Sequence, residues 1–186
     1  MSRLTVFNSV TLDGYFTDPK GDMSWAHQND PEWNEFVAGN AKGESTLVFG
    51  RVTYDMMAGF WPSAQAKQSY PQVAEGMNRQ PKVVFSRTLD NASWSNTRLV
   101  NRDLVGEVRR MKESAGPGAV ILGSGTLVAQ LTQEGLIDEY QLAVVPVVIG
   151  KGRTLFEGVE RRVDLKLTNE RRFKNGNVLL TYEANR

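Results

Sequence analysis

The chain has 186 residues, of which 40% are apolar and 23% are charged, a composition typical of one globular domain. It contains no cysteine and a single histidine, His27, which excludes a disulfide framework, a cysteine-ligated metal site and a multi-histidine metal centre. The net charge of +1 is spread without a basic block, and the longest apolar run, Leu142 to Ile149, is far shorter than the roughly 18 residues that span a bilayer. We therefore expect a single cytoplasmic domain over residues 1–186, with no metal, no membrane contact and no nucleic-acid partner.

The first part of the chain alternates strands and helices. β-Branched and aliphatic residues predict a strand at Leu4–Val10 and a second strand at Thr46–Phe49. Between them, Asp30-Pro31-Glu32 combines an N-cap, a first-turn proline and an acidic residue that the helix dipole favours, and Gly43 marks the end of this helix. Gly50 then predicts the start of another helix directly after the second strand.

The middle of the chain continues the alternation. Strands are predicted at Lys82–Ser86 and Ala119–Leu122, and helices at residues 104–111 and Thr126–Gln133, where apolar residues recur at helical spacing. Three strands contain uninterrupted apolar runs, which favour a parallel sheet covered on both faces by helices. These runs are Leu47-Val48-Phe49, Val83-Val84-Phe85 and Val120-Ile121-Leu122.

The C-terminal part has a different pattern. A strand is predicted at Tyr140–Ile149, and Asn175-Gly176 is a strong hairpin-turn signal. Apolar residues alternate with polar ones on both sides of that turn, at Val163, Leu165 and Leu167 before it and at Val178, Leu180 and Tyr182 after it. The sequence therefore predicts an α/β fold with a mostly parallel central sheet and a C-terminal antiparallel hairpin.

Three of the predicted strand ends carry residues suited to phosphate. In parallel sheets ligands bind beyond the carboxyl ends of the strands, where glycine allows close approach and a helix N-terminus offers free N–H groups. The three junctions are Gly50-Arg51-Val52-Thr53-Tyr54, Ser86-Arg87-Thr88 and Gly123-Ser124-Gly125-Thr126. Each alone is equally an ordinary turn or a solvated arginine, and the last lacks the third glycine of a dinucleotide fingerprint. Together they favour a ligand with several phosphates, such as NADPH.

The order of these motifs resembles the dihydrofolate-reductase-like superfamily, and within it the branch of the riboflavin-biosynthesis reductase. The resemblance also includes Ser9-Val10-Thr11-Leu12-Asp13-Gly14 and Pro146–Gly152 with Leu155-Phe156, and it covers almost the whole chain. It implies a three-layer αβα fold with NADPH as the hydride donor. The cofactor contacts that it implies fall on Gly50, Arg51, Thr53, Ser86, Arg87, Gly123, Ser124, Gly125 and Thr126.

Candidates on the substrate side are fewer. Asp13 follows the first strand with Leu12 and is either a substrate-anchoring or proton-relaying carboxylate or a turn residue before Gly14. Trp25 could stack on a flat heterocycle, and His27 either shuttles a proton or is incidental. We expect Asp13 to be the catalytic residue and all four to contact the substrate.

The predicted function is an NADPH-dependent reductase that transfers hydride to a planar heterocycle, with 5-amino-6-(5-phosphoribosylamino)uracil as one candidate. The alternative is a non-catalytic dinucleotide-binding or ligand-sensing protein on the same fold. A folate substrate is disfavoured because Asn34, with Glu35 beside it, stands where dihydrofolate reductases carry a helix carboxylate. A fused zinc deaminase cannot be built from this chain. The resemblance also implies a homodimer, for which the C-terminal hairpin offers an edge.

Overall fold

The computed structural model describes residues 1–27 and 30–185. The strands are β1 (Leu4–Thr11), β2 (Tyr15–Thr17), β3 (Thr46–Gly50), β4 (Lys82–Phe85), β5 (Thr97–Val100), β6 (Ala119–Leu122), β7 (Glu139–Val145), β8 (Arg153–Thr154), β9 (Leu165–Arg172) and β10 (Val178–Ala184). The helices are α1 (Pro31–Ala41), α2 (Arg51–Phe60), α3 (Ala64–Ser69), α4 (Pro71–Arg79), α5 (Leu104–Glu113) and α6 (Gly125–Gln133).

The described residues form one eight-stranded sheet and a separate two-stranded ribbon. The order in the sheet is β5-β4-β3-β6-β1-β7-β10-β9, and the ribbon pairs β2 with β8. Neighbouring strands from β5 to β7 are parallel, whereas β10 is antiparallel to both β7 and β9. This confirms the predicted mostly parallel sheet with a C-terminal antiparallel hairpin.

Alternate residues of β3 belong to two different hydrophobic cores. Val48 packs in a cluster with residues of α5 and α6, whereas Leu47 and Phe49 pack with residues of α2 and α4. Because successive strand residues point to opposite faces, these clusters lie on the two sides of the sheet. The result is the three-layer αβα arrangement, with the sheet between two helical layers.

The helix signals at α1 are confirmed in detail. The Asp30 carboxylate accepts a hydrogen bond from the backbone N–H of Trp33 at 2.8 Å, and Pro31 occupies the first turn. The helix ends at Ala41, just before Gly43. A side-chain cap of this kind typically stabilises a helix by about 1 kcal/mol. The cap fixes where α1 begins above the sheet.

Several predicted boundaries were wrong. The strand predicted at Lys82–Ser86 ends at Phe85, because the Ser86 hydroxyl accepts hydrogen bonds from the N–H groups of Thr88 and Leu89 and turns the chain. The strand predicted at Tyr140–Ile149 ends at Val145, because Pro146 has no N–H for the ladder. Five of the labelled elements were not predicted from the sequence: β2, β5, β8, α3 and α4.

The strand before the hairpin turn also differs from its prediction. Val163 lies outside β9, and every residue of β9 is exposed. A bulge between Thr181 and Tyr182 places Leu165 and Leu167 opposite Ala184 and Tyr182. Since β9 is at the sheet edge, its apolar residues are paired on one side only.

In the part of the chain that the structure describes, no helix is long and apolar enough to cross a membrane. Residues 1–27 and 30–185 also contain no group of three His, Cys, Asp or Glu side chains arranged to hold a metal ion.

Candidate functional site

A cleft of about 730 Å³ opens at the carboxyl ends of β3, β6 and β1 and continues along the sheet face under α1. Its walls there are Phe7, Val120 and Leu122 from the sheet and Val37 and Ala41 from α1. Val120 and Leu122 are only half-buried because they face this space. Seven of the nine predicted cofactor contacts line the cleft: Gly50, Arg51, Thr53, Gly123, Ser124, Gly125 and Thr126.

Two strand–helix junctions are tied together at the floor of this cleft. The Gly50 N–H donates to the Ser124 hydroxyl oxygen at 2.8 Å, and the Ser124 N–H donates to the Thr53 hydroxyl oxygen at 3.1 Å. Gly123 and Ser124 both have left-handed backbone, with φ of 58° and 57°. That conformation costs a non-glycine residue about 1 kcal/mol or more, and these hydrogen bonds offset the cost. They hold the N-termini of α2 and α6 next to each other.

Both helices begin without a side-chain cap. Neither Gly50 nor Ser124, their N-cap residues, bonds through its side chain to the first-turn N–H groups. Such N–H groups have no partner within a helix, and together with the helix dipole they attract anions. Arg51 lies at the start of α2 and forms an exposed ion pair with Asp55 at 3.0 Å. This edge of the sheet therefore offers donors and positive charge to a phosphate.

The two glycines of the second junction are required by different neighbours. A Cβ atom at Gly123 would lie 2.9 Å from the Thr53 hydroxyl oxygen. A Cβ atom at Gly125 would lie 2.5 Å from Cζ of Phe16, whose buried ring covers the start of α6. Gly125 is thus needed for the packing of Phe16, independently of any ligand.

Ser86 and Arg87 are outside the cleft lining. Ser86 is buried and its hydroxyl closes the turn after β4, whereas Arg87 is exposed. The register of β3 and β4 pairs Gly50 with Phe85, so the residues that follow these two strands leave the sheet side by side. Ser86 and Arg87 are therefore neighbours of the Arg51 junction at the same edge.

Asp13 is exposed and its carboxylate is occupied by backbone donors. It accepts hydrogen bonds from the N–H groups of Gly150 at 2.8 Å and Ile149 at 3.2 Å. A hydrogen bond from the Thr11 side chain and these backbone bonds lower the pKa of Asp13 below its ordinary value. Asp13 thereby fastens the turn after β1 to the loop after β7, and it does not line the cleft.

The other substrate-side candidates also lie outside the lining. Leu12 is exposed and donates its N–H to the Val147 carbonyl at 2.9 Å. Trp25 is half-buried, and its Nε1 has no hydrogen-bond partner among residues 1–27 and 30–185. His27 is exposed, and its backbone N–H donates a hydrogen bond to the Ser24 carbonyl in a short turn. The structure does not bring these side chains together with the cofactor junctions.

The cleft includes residues that the sequence analysis missed. Asn8 and Ser9 lie in β1, and Phe16, Thr17 and Arg153 come from the β2–β8 ribbon. Asn8 is buried and donates from its side-chain amide to the Gly123 carbonyl at 3.0 Å. Asn8 and Ser9 could have been predicted, because two adjacent polar residues interrupt an otherwise mostly apolar strand. No local signal existed for the ribbon, which pairs distant parts of the chain.

The lining of the cleft is cationic. Among the described residues that form it, Arg51 and Arg153 are the only ones with an ionisable side chain, and none is Asp, Glu, His, Lys, Tyr or Cys. The three residues outside the description are Gln28, Asn29 and Arg186, none of which is an acid. The cleft is suited to anionic ligands, and none of its described lining residues has a side chain that could donate a proton near neutral pH.

Comparison with known sequences connects this geometry to one family. Residues 2–179 match the sequence profile described as the RibD C-terminal domain. The chain is also similar to the uncharacterised protein YyaP of Bacillus subtilis (strain 168), with 28% identity over 98% of this chain and 95% of that protein.

Solved structures share the fold. A putative riboflavin biosynthesis protein from Shewanella sp. PV-4 has a TM-score of 0.75 and 23% identity, with both chains fully covered. A deaminase/5-amino-6-(5-phosphoribosylamino)uracil reductase from Thermotoga maritima has a TM-score of 0.66 and 15% identity over 99% of this chain and 57% of that one. Dihydrofolate reductase from Enterococcus faecalis, complexed with NADP(H), has a TM-score of 0.63 and 16% identity over 99% of this chain and 97% of that one.

Proposed function

The chain belongs to the RibD C-terminal domain family, and from that premise we propose that it is a single-domain NADPH-dependent reductase that transfers hydride to a planar heterocycle. The observation that carries the proposal is the cationic cleft in which two uncapped helix N-termini meet at the carboxyl edge of the sheet. Several phosphate-binding features at one edge suit a dinucleotide better than they suit a single small anion.

The residues present fit NADPH. Thr53 and Ser124 hold the two junctions in place, which leaves the first-turn N–H groups of α2 and α6 for the pyrophosphate. Arg51 and the neighbouring Arg87 supply guanidinium groups for a 2′-phosphate at the β3–β4 side of the edge. When bound, the cofactor supplies the hydride, and the chain positions the two ligands and excludes water.

The substrate occupies the sheet face under α1. This part of the cleft combines apolar walls, such as Phe7 and Val37, with the neutral polar side chains of Ser9, Asn40 and Gln141. Such a surface suits a flat ring with amide edges and disfavours a cationic ring, because no carboxylate is present among the described lining residues. A pyrimidinone such as 5-amino-6-(5-phosphoribosylamino)uracil satisfies these requirements, and the reductase from Thermotoga maritima, a fold neighbour, is named for that compound.

The proton that accompanies the hydride comes from solvent or from the substrate itself. Hydride addition to a C=N or C=O carbon leaves an electron pair on nitrogen or oxygen, and none of the described residues that line the cleft is an acid that could protonate it. Asp13 contributes by holding the loop after β7, since its carboxylate already accepts two backbone N–H groups. It is a positioning residue in this proposal.

The proposal includes a homodimer. On one face of β10, Leu179 and Thr181 are buried, whereas Leu180 and Tyr182 on the other face are half-buried. Next to them, Leu165 and Leu167 of β9 are 36% and 45% exposed. A contiguous apolar surface of this kind favours an interface, and a second copy would cover it symmetrically. A monomer mass by light scattering at micromolar concentration would reject the dimer.

The test of function is NADPH oxidation that depends on an added heterocycle. Thermal-shift screening of NADPH with flavin precursors and pterins selects ligands, and the loss of NADPH absorbance is then measured for each hit. We expect turnover with a phosphorylated pyrimidinone and none with dihydrofolate. NADPH binding without turnover of any heterocycle would instead support a non-catalytic dinucleotide-binding protein.

A further inference from the structure

The β2–β8 ribbon places Arg153 at the cleft, where its guanidinium group has few contacts. Arg153 pairs with Thr17 across the ribbon and lines the cleft. Its Nε is 3.4 Å from an oxygen of Glu157, and both of these side chains are more than half exposed. Its guanidinium carbon lies 6.0 Å from the centre of the Phe16 ring. Among the described residues its terminal nitrogens have no hydrogen-bond acceptor, so the guanidinium fork is open to a ligand.

The Thr17 hydroxyl next to Arg153 also lacks a hydrogen-bond partner among the described residues. Thr17 is only 8% exposed and lines the cleft. A buried polar atom without a partner is rare and destabilising, and it is normally satisfied by a ligand or water. Thr17 is therefore an independent indication that a polar ligand group enters here.

Packing places this pair next to the start of α6. The Phe16 ring lies on Gly125, and Gly152 lies directly against the Thr17 carbonyl, where a Cβ atom would be only 2.1 Å from that oxygen. The Arg153 guanidinium and the Thr17 hydroxyl thus line the cleft on either side of Phe16, which packs on the uncapped start of a nine-residue helix. Both side chains can donate hydrogen bonds; Glu157 contacts only Nε of Arg153, and no described residue in the lining is acidic. Phosphate is the ligand group with this chemistry.

We propose that Arg153 and Thr17 form a second phosphate subsite in the cleft, beside the first turns of α2 and α6 that are left for the pyrophosphate. The phosphate belongs either to the dinucleotide or to the hydride acceptor. The subsite's part in catalysis rests on the proposed reductase function, whereas its affinity for phosphate does not.

The test uses inorganic phosphate and ribose 5-phosphate as probes in calorimetric titrations of the full chain. Arg153→Met keeps the side-chain length and removes the charge, and we expect it to weaken inorganic phosphate binding by about 10-fold or more. Arg162→Met is the matched control, because Arg162 is 87% exposed, pairs with Asp164 and lies outside the cleft. It should bind phosphate like the wild type.

Thr17→Val supplies a second test with two readouts. The variant keeps the shape of the side chain and removes the unpartnered hydroxyl, so its melting temperature should equal or exceed that of the wild type. Its phosphate affinity should nevertheless fall by about 3- to 10-fold. Stabilisation together with lost affinity is not what a merely structural hydroxyl would give.

Two arms distinguish the source of the phosphate. If ribose 5-phosphate binds to the NADPH-saturated protein and loses affinity in Arg153→Met, the subsite takes the phosphate of the hydride acceptor. If phosphate competes with NADPH and Arg153→Met weakens NADPH binding, it takes a phosphate of the dinucleotide. Wild-type phosphate affinity in both Arg153→Met and Thr17→Val would overturn the subsite. Absence of NADPH turnover with Arg153-dependent phosphate binding intact would overturn only the reductase function.

Discussion

The cationic side chains at the two ends of the parallel strands differ in burial and in hydrogen bonding. At the amino end, Lys82 is fully buried, donates to the carbonyls of Gln80 at 2.6 Å and Asn78 at 3.2 Å, and lies 4.6 Å over the Trp94 ring. At the carboxyl end, Arg51 pairs with Asp55 and Arg153 pairs with Glu157, and all four side chains are exposed. The buried Lys82 ammonium is satisfied by backbone carbonyls and is structural. The exposed guanidinium groups of Arg51 and Arg153 are available to a ligand.

The largest effect on NADPH affinity at the carboxyl end is expected from substitution of Gly125. Gly125→Val should abolish NADPH binding, by more than about 100-fold in affinity, because the added side chain displaces Phe16 into the cleft and covers the start of α6. Calorimetric titration with NADPH measures the loss, and circular dichroism checks that the fold is retained.

A second variant separates packing from ligand contact. Gly125→Ala combined with Phe16→Leu relieves the contact between the new Cβ atom and the ring. If the double variant recovers NADPH affinity over Gly125→Ala alone, Phe16 is the cause of the loss. If it does not, the Gly125 backbone itself approaches the pyrophosphate. Normal NADPH binding by Gly125→Val would show that the junction is an ordinary turn.

At the opposite end, Lys82 should make stability depend on pH. Burial lowers the pKa of Lys82 to about 8, whereas the unfolded chain has a lysine pKa near 10.4. Between these values the unfolded state holds a proton that the folded state lacks, so the free energy of unfolding rises with pH. The full difference is about 3 kcal/mol.

The measurement compares urea unfolding of the wild type and Lys82→Met from about pH 7.5 to about pH 9.5. The wild type should gain stability relative to the variant across this range, and both should bind NADPH equally. The remaining titrating groups are common to the two proteins, so the difference isolates Lys82. If the free energies of unfolding of the two proteins change in parallel with pH, Lys82 keeps its ordinary pKa in the folded state, and the expected effect of its burial is wrong.

A smaller effect is expected for cofactor preference at the carboxyl end. Arg87 is exposed beside the Arg51 junction, where the fold leaves a guanidinium open for a 2′-phosphate. The unmutated protein should bind NADPH about 10- to 100-fold more tightly than NADH, because a charge-assisted contact contributes about 1.5–3 kcal/mol. Arg87→Ala should remove that preference and leave NADH affinity unchanged. Equal affinities for both cofactors in the wild type would contradict the assignment.

The smallest effect is expected at Asp13. Asp13→Asn keeps an acceptor oxygen for the Gly150 and Ile149 N–H groups, so turnover should fall by less than about 10-fold and NADPH affinity should not change. A fall of about 100-fold in kcat with KM unchanged would instead assign proton transfer to this carboxylate. Steady-state kinetics with the identified heterocycle distinguishes the two.

Much of the fold follows from local patterns. The Asp30-Pro31 start of α1, the apolar strand cores and the Asn175-Gly176 turn are properties of neighbouring residues, and the structure confirms them. Short elements such as α3 and β5 were missed because too few residues show a periodicity, whereas the nine-residue α4 was missed although its pattern is amphipathic. The bulge that sets the register of β9 was also beyond local reading, since register depends on the partner strand.

The βαβ order and the polar residues at the strand ends can be predicted from the amino-acid sequence, because helix starts, strand cores and turns depend on residues close together in the chain. Which strand ends share a cleft depends on tertiary contacts. The Ser124–Thr53 tie, the bond from Ile149 to Asp13 across 136 residues and the pairing of Thr17 with Arg153 join distant segments. Such contacts arise when strands choose their neighbours in the sheet, and no local propensity encodes that choice.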